Sequence, residues 1–458
     1  MKLLPLIAKR IELEKNQRLS RQKLEAQQLS KFRKLVRYVN RHSAFYRRVI
    51  QQQGIALDTC KPEDFPILTK RELIDHFDDI VTDPRIRQQE IMGFLQNSKD
   101  PRQLYINQYS VINTSGSSGE VGYFIFSQSD WARGFAQVAR MHKVALRRIK
   151  CAFVGAITGH YAGVTLLYGG QYLGRLKYYD AKAFDINQPL QDLVNQLNRY
   201  QPQTLAGYAQ ALRMLAEQQR EGRLNIKPSF IDSGGEVLTE DSWEYIESAF
   251  GAPLQNVYAA SEFLYMGVGR REFGGLVLLE DDLIFDIEKT ATTVTSLFNF
   301  TLPLIRYRMN DVLELIPHKH AGWPYRLVKQ VVGRMEQAPA FINEQGEKDY
   351  ISPHVIGELF AKDLRRFQLH VRDNSSFDFR VVFEPDIDSG AVSRAIDELR
   401  HQLNTILQEK KMRNVRYEIQ LVNELPVDVK TGKFRLIVND PDNNRTRPTA
   451  NLTLSEPV

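Results

Sequence analysis

The N-terminal part of the chain carries a helical pattern of apolar positions. Apolar residues recur at the spacing of one helix face, at Phe32, Leu35, Val36 and Val39. Basic residues occupy the opposite face, at Arg33, Lys34 and Arg37. This pattern predicts an amphipathic helix. Its basic face could bind an acidic surface, but a solvated face on a helix packed against a domain is the favoured interpretation.

From about residue 65 to about residue 330, helical and strand-like segments alternate. Glycine-rich joints separate them, at Gly116–Gly119, Gly169–Gly170, Gly234–Gly235 and Gly274–Gly275. This alternation predicts a large layered α/β domain, which we place at residues 1–332.

A different pattern follows Gly333. It indicates a strand, a helix and a second strand in turn, at Phe377, Phe379, Val381 and Phe383, then Val392, Ile396, Leu399, Leu403 and Ile406, then Val415, Tyr417, Ile419 and Leu421. We therefore predict a small α+β C-terminal domain of the βαβ type at residues 333–440. The remaining tail, 441–458, has few residues to bury and is predicted to be loose.

Composition restricts the class of protein. A chain of 458 residues, 43% hydrophobic and 25% charged, is expected to fold into at least two globular domains. A net charge of +6 over this length does not point to nucleic acid. Two cysteines, Cys60 and Cys151, cannot form a disulfide framework or a Cys-rich zinc site, and they fit a reducing compartment. The apolar start is too short for a signal peptide and no run is long enough for a membrane span, so we expect a cytoplasmic protein without a membrane partner.

A loop rich in glycine and hydroxyl residues is the first candidate site. It consists of Thr114, Ser115, Gly116, Ser117, Ser118 and Gly119. Backbone N–H groups and hydroxyls of such a loop can surround a phosphate. The loop has neither the Gly-Lys-Ser/Thr of a Walker motif nor the G-x-G-x-x-G of a dinucleotide site, and a flexible turn is the alternative.

Two further segments combine aromatic and charged residues. Tyr258 could stack on a flat base and Glu262 could hold Mg²⁺ beside phosphates, although a plain strand-to-loop junction would look the same. In the second segment, Arg306 and Arg308 could hold phosphate and Asp311 could accept ribose hydroxyls. The alternative is that both arginines pair with nearby acids on the surface.

Two short segments toward the C-terminus are weaker signals. Gly333 to Glu336 lies at the change of pattern and indicates a hinge or a plain linker. Lys433 follows Gly432 in a turn before a predicted strand, where most lysines are merely solvated.

In order and spacing, these five motifs resemble those of the adenylate-forming enzymes, which include the acyl- and aryl-CoA synthetases. The resemblance covers most of the chain. The N-terminal helix, Phe65 to Lys70 and Ser233 to Glu236 resemble more narrowly the phenylacetate-CoA ligase branch and its CapK relatives. The chain departs from the family pattern at Glu120, where a lysine usually follows the last loop glycine, and Ala259 stands in place of a glycine.

The resemblance implies a role for each matching residue. Lys433, Glu262 and Arg308 would be catalytic, Glu262 would also hold Mg²⁺, and Glu336 would be the hinge between the two domains. The ATP-binding residues would be Thr114, Ser115, Gly116, Ser117, Ser118, Gly119, Gly234, Gly235, Glu236, Tyr258, Ser261, Asp311 and Arg334. The acyl pocket would include His160, Tyr161 and Ala259, although His160 could equally be packed structurally in its loop.

The implied activity is ATP-dependent conversion of a carboxylic acid, on this branch an aryl acid, into its acyl-AMP, followed by transfer to coenzyme A. An amide or ester ligase or a carrier-protein loader would share the first step. From a different class, a degenerate fold could act as a binding module. The sequence leaves open the acid, the acceptor and the oligomeric state, a homodimer included.

Overall fold

The structure is a computed structural model. It describes residues 3–114, 122–141, 149–171, 179–236, 238–288, 292–309, 311, 313–317, 323–329, 339–351, 353–357, 359–384, 387–425 and 436–438.

The helices within these ranges are numbered in chain order. They are α1 (Leu3–Asn16), α2 (Arg21–His42), α3 (Ala44–Gln53), α4 (Lys70–Asp75), α5 (Phe77–Ile80), α6 (Gln88–Asn97), α7 (Gln128–Met141), α8 (Ala162–Gln171), α9 (Leu190–Tyr200), α10 (Ala209–Arg220), α11 (Glu240–Phe250), α12 (Pro353–Gly357) and α13 (Ser389–Glu409). Among the residues that the structure describes, no helix has both the length and the apolar character needed to cross a bilayer.

The strands are numbered in the same way. They are β1 (Tyr109–Asn113), β2 (Tyr123–Ser127), β3 (Ile149–Gly155), β4 (Tyr179–Asp185), β5 (Thr204–Gly207), β6 (Phe230–Gly234), β7 (Leu254–Ala260), β8 (Leu264–Arg270), β9 (Gly275–Leu278), β10 (Leu283–Ile287), β11 (Thr292–Ser296), β12 (Tyr307–Met309), β13 (Leu315–Ile316), β14 (Leu327–Val328), β15 (Ala340–Ile342), β16 (Lys348–Tyr350), β17 (Leu364–Asp373), β18 (Ser376–Phe383), β19 (Arg416–Leu421) and β20 (Ile437–Val438).

The predicted amphipathic helix is confirmed as α2. All four residues of its apolar stripe are fully buried. Ser20 caps its N-terminus by accepting a hydrogen bond from the Lys23 backbone at 3.3 Å. On the basic face, Arg37 pairs with Asp58 at 2.8 Å and Arg33 donates to the Cys60 carbonyl at 3.3 Å. The basic face therefore contacts this chain's own residues.

A nine-stranded sheet organises the larger part of the chain, in the order β13-β14-β9-β8-β7-β6-β5-β3-β4. The neighbours β3, β5, β6 and β7 run parallel, whereas β7, β8, β9, β14 and β13 pair antiparallel. Helix α10 packs on β3, β5 and β6, and α11 packs on β7. The predicted layered α/β class is confirmed. Because parallel strands end at the same edge, the loops after β3, β5, β6 and β7 emerge together.

The predicted strand, helix and strand of the C-terminal part are confirmed as β18, α13 and β19. They belong to a four-stranded sheet in the order β19-β18-β17-β20, in which β18 and β19 run parallel as a βαβ connection requires. Phe377, Phe379 and Val381 are fully buried in β18, and Leu399 and Leu403 lie on the buried face of α13.

The described residues form two compact units. One comprises those within Met1–Asn113, Gly122–Phe184 and Tyr200–Gly333. The other comprises Thr114 and those within Asp185–Arg199 and Arg334–Val458. The predicted boundary at Gly333–Glu336 lies outside the described residues and stays a prediction. That the segment 185–199 joins the second unit was not predicted, since its sequence pattern resembles that of its neighbours along the chain.

A buried ion pair holds this segment in the second unit. Lys410 and Asp349 lie 2.8 Å apart with side chains that are each 1% exposed. The Lys410 ammonium also donates to the carbonyls of Gln188 at 3.1 Å and Ile186 at 3.3 Å, and Asp349 accepts from the Leu190 backbone at 3.1 Å. The other donors and acceptors compensate the cost of burying the two charges.

Replacement of Asp349 by alanine should strongly destabilise the second unit. It leaves the Lys410 ammonium buried without its counter-charge, which costs roughly 3–5 kcal/mol of unfolding free energy. Urea unfolding measures the loss. The matched control is Asp192→Ala, which breaks the exposed pair with Lys411 and should cost at most about 1 kcal/mol. Equal losses in the two variants would contradict the assignment.

Candidate active site

The hairpin of β7 and β8 carries the first part of the site. The two strands are joined by a tight turn in which the Phe263 N–H donates to the Ala260 carbonyl at 3.2 Å. The pairing shifts by one residue between Tyr258 and Ala259, a bulge that redirects the side chains at the end of β7. The residues from Tyr258 to Glu262 are half-buried, whereas Phe263 is fully buried and anchors the turn.

Tyr258 and Asp311 form the central polar contact. The Tyr258 hydroxyl donates to Oδ2 of Asp311 at 2.9 Å. Burial and the neighbouring carboxylate hold the pKa of Tyr258 well above its ordinary value, because both disfavour a phenolate. The phenol therefore remains a donor at neutral pH and orients the carboxylate of Asp311, two residues after the end of β12.

Backbone hydrogen bonds around Leu68 bring a third segment to this place. The Leu68 N–H donates to the Arg306 carbonyl at 3.1 Å, and the Arg308 N–H donates to the Leu68 carbonyl at 2.9 Å. Between these two bonds, the Tyr307 ring is buried against Phe263 with ring centroids 6.0 Å apart. Leu68 is thereby paired with β12, two residues before α4 begins at Lys70.

Glu262 lies where these segments meet. Burial is the largest effect and raises the pKa of its carboxyl to about 6, and the negative charge of Asp311 acts in the same direction. Its own backbone N–H, the positive charge of Lys70 and a hydrogen bond from the Tyr307 hydroxyl partly oppose the rise. A positive charge close to such a half-buried carboxylate stabilises its ionised form.

Lys70 is a site residue that the sequence analysis missed. It is the first residue of α4, held by Thr69, whose hydroxyl accepts from the Glu72 backbone at 3.2 Å. A side-chain carbon at position 122 would lie 3.3 Å from the Lys70 side chain, so Lys70 also lies beside Gly122, after the predicted phosphate loop. The only signal in the sequence was its position in the segment Phe65 to Lys70, which carried part of the resemblance.

The two arginines of the β12 segment have different surroundings. Arg306 donates to the Phe65 carbonyl at 2.9 Å and lies 3.4 Å from Asp286, and its backbone has a positive φ of 49°. Its described contacts are those of a structural arginine, as the surface-pair alternative expected. Arg308 has an exposed side chain, since neighbouring residues of a strand point to opposite faces.

The glycine pair after β6 lies at the same sheet edge as Tyr258. Gly235 has a φ of +78°, and a β-carbon there would lie 3.1 Å from the Tyr208 ring, so glycine is required. Oε2 of Glu236 accepts from the Gln210 backbone at 2.9 Å, at the start of α10. This carboxylate therefore caps a helix N-terminus, where a negative charge is stabilising.

His160 and Tyr161 lie between β3 and α8. His160 is buried, with Nε2 2.9 Å from the Ser98 hydroxyl and its ring 5.0 Å from that of Phe94. Burial lowers the pKa of His160, so the ring is neutral at neutral pH. These contacts match the structural alternative. Tyr161 is half-buried, and its carbonyl accepts from Thr165 in the first turn of α8.

Several predicted residues fall outside the described ranges. Thr114 is described and directly follows β1, but its role remains a prediction. Outside the described residues lie Ser115, Gly116, Ser117, Ser118, Gly119, Arg334, Glu336 and Lys433.

No family model matches this chain. Protein CapK of Staphylococcus aureus is 21% identical over 444 residues, which cover 90% of this chain and 88% of CapK. A crystal structure of 2-hydroxyisobutyryl-CoA ligase with 2-HIB-AMP and CoA in the thioesterification state covers 93% of this chain and 91% of that one, at 20% identity and a TM-score of 0.58. A postadenylation structure of the same ligase with R3-HIB-AMP covers 90% and 88%, at 21% identity and a TM-score of 0.54.

This chain shares the fold of that ligase. The candidate site residues lie at the carboxyl edge of the parallel strands, where ligands of open α/β sheets bind. Tyr258, Asp311, Glu262 and Lys70 converge there.

The surroundings of Glu262 fit Mg²⁺. No cluster of three or more His, Cys, Asp or Glu residues suitable for a metal is present among the described residues. Mg²⁺ bound with nucleotides needs only one or two protein carboxylates, because phosphates and water supply the other ligands. Glu262, half-buried and with a raised pKa, would supply such a carboxylate oxygen.

Replacement of Glu262 by glutamine should stabilise the protein at high pH. The pKa of Glu262 rises from 4.5 to about 6 on folding, so its ionised form destabilises the folded state as the pH rises through about 6. Glu262→Gln should gain about 2 kcal/mol of unfolding free energy near pH 8 and nothing near pH 4. Urea unfolding across this range measures it, with the exposed Glu63→Gln as control. A pH-independent difference would contradict the burial of this carboxylate.

Proposed function

We propose that this protein is an AMP-forming acid–thiol ligase, which converts a carboxylic acid and ATP to acyl-AMP and pyrophosphate and then transfers the acyl group to coenzyme A. The observation that carries the proposal is the convergence of Tyr258, Asp311, Glu262 and Lys70 at the carboxyl edge of an adenylate-forming fold. The 2-hydroxyisobutyryl-CoA ligase structures, with an acyl-AMP and CoA bound, support the same sequence of reactions.

The first half-reaction brings the carboxylate of the acid, an anion, up to the negatively charged triphosphate of ATP. A carboxylate oxygen bonds to the α-phosphorus, and the bond from that phosphorus to the leaving pyrophosphate breaks. Fixed positive charge lowers this barrier, since it offsets repulsion in the transition state. Mg²⁺ on Glu262 would offset charge on the phosphates.

Lys70 would supply a second positive charge. The phosphate loop carries Glu120 where the family has a lysine. Lys70 lies beside Gly122, just after that loop, and close enough to Glu262 to lower its pKa. It would thus compensate for the missing loop lysine. Arg308, whose side chain is exposed on β12, would add a further positive charge for the phosphates in this half-reaction.

Asp311 and Tyr258 would hold the nucleoside. Asp311 would accept hydrogen bonds from the ribose hydroxyls, with its carboxylate oriented by the Tyr258 hydroxyl. The Tyr258 ring would lie against adenine, with the Gly234 and Gly235 backbone and Glu236 beside it. The phosphate loop and Ser261 would also bind the nucleotide. Ala259 would belong to the acyl pocket.

The second half-reaction transfers the acyl group from AMP to a thiol. The thiolate sulfur attacks the acyl carbon, and AMP leaves with the bonding electrons. The second domain would carry Arg334 and Lys433 and would rotate about the hinge Glu336. It would adopt one pose for acyl-AMP formation and another for acyl transfer. We thus propose a two-domain enzyme that acts in the cytoplasm.

Pyrophosphate release over a panel of acids tests the proposal. Acetate, isobutyrate, phenylacetate and alanine are incubated with ATP and Mg²⁺, with and without CoA. Acid-dependent pyrophosphate release, together with acyl-CoA when CoA is present, supports it. Release without a CoA product, but with an amide or ester when an amine or alcohol is added, would instead favour the alternative ligase. No release with any acid would favour a binding module.

Replacement of Asp311 by alanine should weaken ATP binding. Loss of the carboxylate removes the ribose acceptor and leaves the Tyr258 hydroxyl without its partner, a loss of about 1–3 kcal/mol or roughly 5- to 150-fold in Kd. Calorimetric titration with ATP and Mg²⁺ measures it. Asp311→Asn keeps one acceptor oxygen and should lose less. Unchanged affinity in the alanine variant would remove Asp311 from the nucleotide site.

Replacement of Lys433 by alanine should affect only the first half-reaction. Loss of a positioned positive charge should slow acyl-AMP formation by a factor on the order of 10²–10³. Supplied with preformed acyl-AMP and CoA, the variant should transfer the acyl group at nearly the wild-type rate. Lys430→Ala, three residues earlier in the sequence, is the matched control. If both half-reactions fall equally in a folded Lys433→Ala protein, Lys433 is not the adenylating lysine.

A further inference from the structure

Two aromatic rings lie at the ends of neighbouring parallel strands. Phe153 is in β3, and Tyr208 directly follows β5. Their rings meet edge to face with centroids 5.9 Å apart. Both residues are buried, with exposed fractions of 8% for Phe153 and 3% for Tyr208.

Glycines surround these two rings. A β-carbon at Gly155 would lie 2.7 Å from the Phe153 ring and 3.0 Å from the Tyr208 ring. One at Gly163 would lie 2.5 Å from the Phe153 ring, and one at Gly235 would lie 3.1 Å from the Tyr208 ring. Such distances are far below a van der Waals contact, so any side chain at Gly155 or Gly163 would displace the rings. The protein's own rings therefore fill the space that these glycines leave open.

The strand order puts this space next to the nucleotide residues. From Tyr258 at the end of β7, the next strand ends are those of β6, β5 and β3. Val257, directly before Tyr258, pairs with Gly234, and Gly235 contacts the Tyr208 ring. Along this edge, Tyr208 is therefore the first of the two rings from Tyr258, and Phe153 is the second.

We infer that Phe153 and Tyr208 close the acyl pocket and restrict the substrate to a small aliphatic carboxylic acid. This inference rests on the proposed function and deepens it, and it departs from the aryl acid that the resemblance implied. Both rings are already packed edge to face against each other and against the glycines. They expose too little surface for an aryl group to stack on, and an aryl acid would require at least one ring to move.

Acyl-AMP formation with acids of different size tests this inference. The wild type is assayed by pyrophosphate release with acetate, isobutyrate and phenylacetate at saturating ATP and Mg²⁺. It should prefer isobutyrate or acetate over phenylacetate in kcat/KM by roughly ten-fold or more. Phe153→Ala and Tyr208→Ala should raise kcat/KM for phenylacetate by roughly ten-fold or more and lower it for the small acids, because each removes a ring from the pocket.

Two further variants separate selectivity from folding. Phe153→Leu keeps most of the apolar volume and should fold even where Phe153→Ala does not, with a smaller shift toward phenylacetate. Phe250 at the end of α11 is also 8% exposed. Phe250→Ala is the matched control for loss of a buried ring and should leave the ratio of phenylacetate to isobutyrate activity unchanged.

The outcomes distinguish this inference from the proposed function. A wild type that activates phenylacetate as well as the small acids overturns the inference but keeps the proposed function. The same holds if the ratio stays unchanged in folded Phe153→Leu and Tyr208→Ala variants, as in Phe250→Ala. A wild type that releases pyrophosphate with none of the acids overturns the proposed function, and the inference falls with it.

Discussion

The candidate site depends on the pairing of one backbone segment with another through Leu68. Its N–H and C=O groups bond to Arg306 and Arg308, so Leu68 pairs with β12 although the two are far apart in sequence. Backbone bonds are short and directional, and they fix position better than contacts between long side chains. This pairing brings Lys70 close to Glu262, and it places the Tyr307 hydroxyl within hydrogen-bonding distance of the Glu262 carboxylate. Three distant parts of the chain thus act on one carboxylate.

The electrostatics of Glu262 follow from that arrangement. Burial in the turn after β7 makes ionisation costly, while Lys70 and the Tyr307 hydroxyl reduce the cost and Asp311 increases it. A carboxyl buried for stability alone would be neutral or fully paired. Here the folded state carries an ionised Glu262 at neutral pH, and Lys70 and the Tyr307 hydroxyl offset its charge only in part.

Residues in the same motif serve different purposes. Glu236 lies in one of the segments that carried the resemblance, yet its described bond is to the start of α10. Arg306 holds Phe65 and Asp286, whereas its neighbour Arg308 is exposed. The segments Ser233 to Glu236 and Phe65 to Lys70 thus contribute structural contacts as well as site residues. A motif marks the place of a site, and the contacts decide which of its members are available to a ligand.

The sequence by itself determined the α/β class, the helix α2 and the β18-α13-β19 unit, and it singled out Tyr258, Glu262 and Asp311, which the structure brings together. These follow from local periodicity, which reflects which face is buried, and from a resemblance carried by contiguous residues. The tertiary structure alone decided that Lys70 joins the site, that Lys410 and Asp349 hold the segment 185–199, and that Phe153 and Tyr208 fill the glycine-lined space. Such contacts join residues distant in the sequence, and their energies depend on burial and on the edge at which parallel strands end. A local pattern of residues shows neither how deeply such a contact is buried nor at which sheet edge it lies.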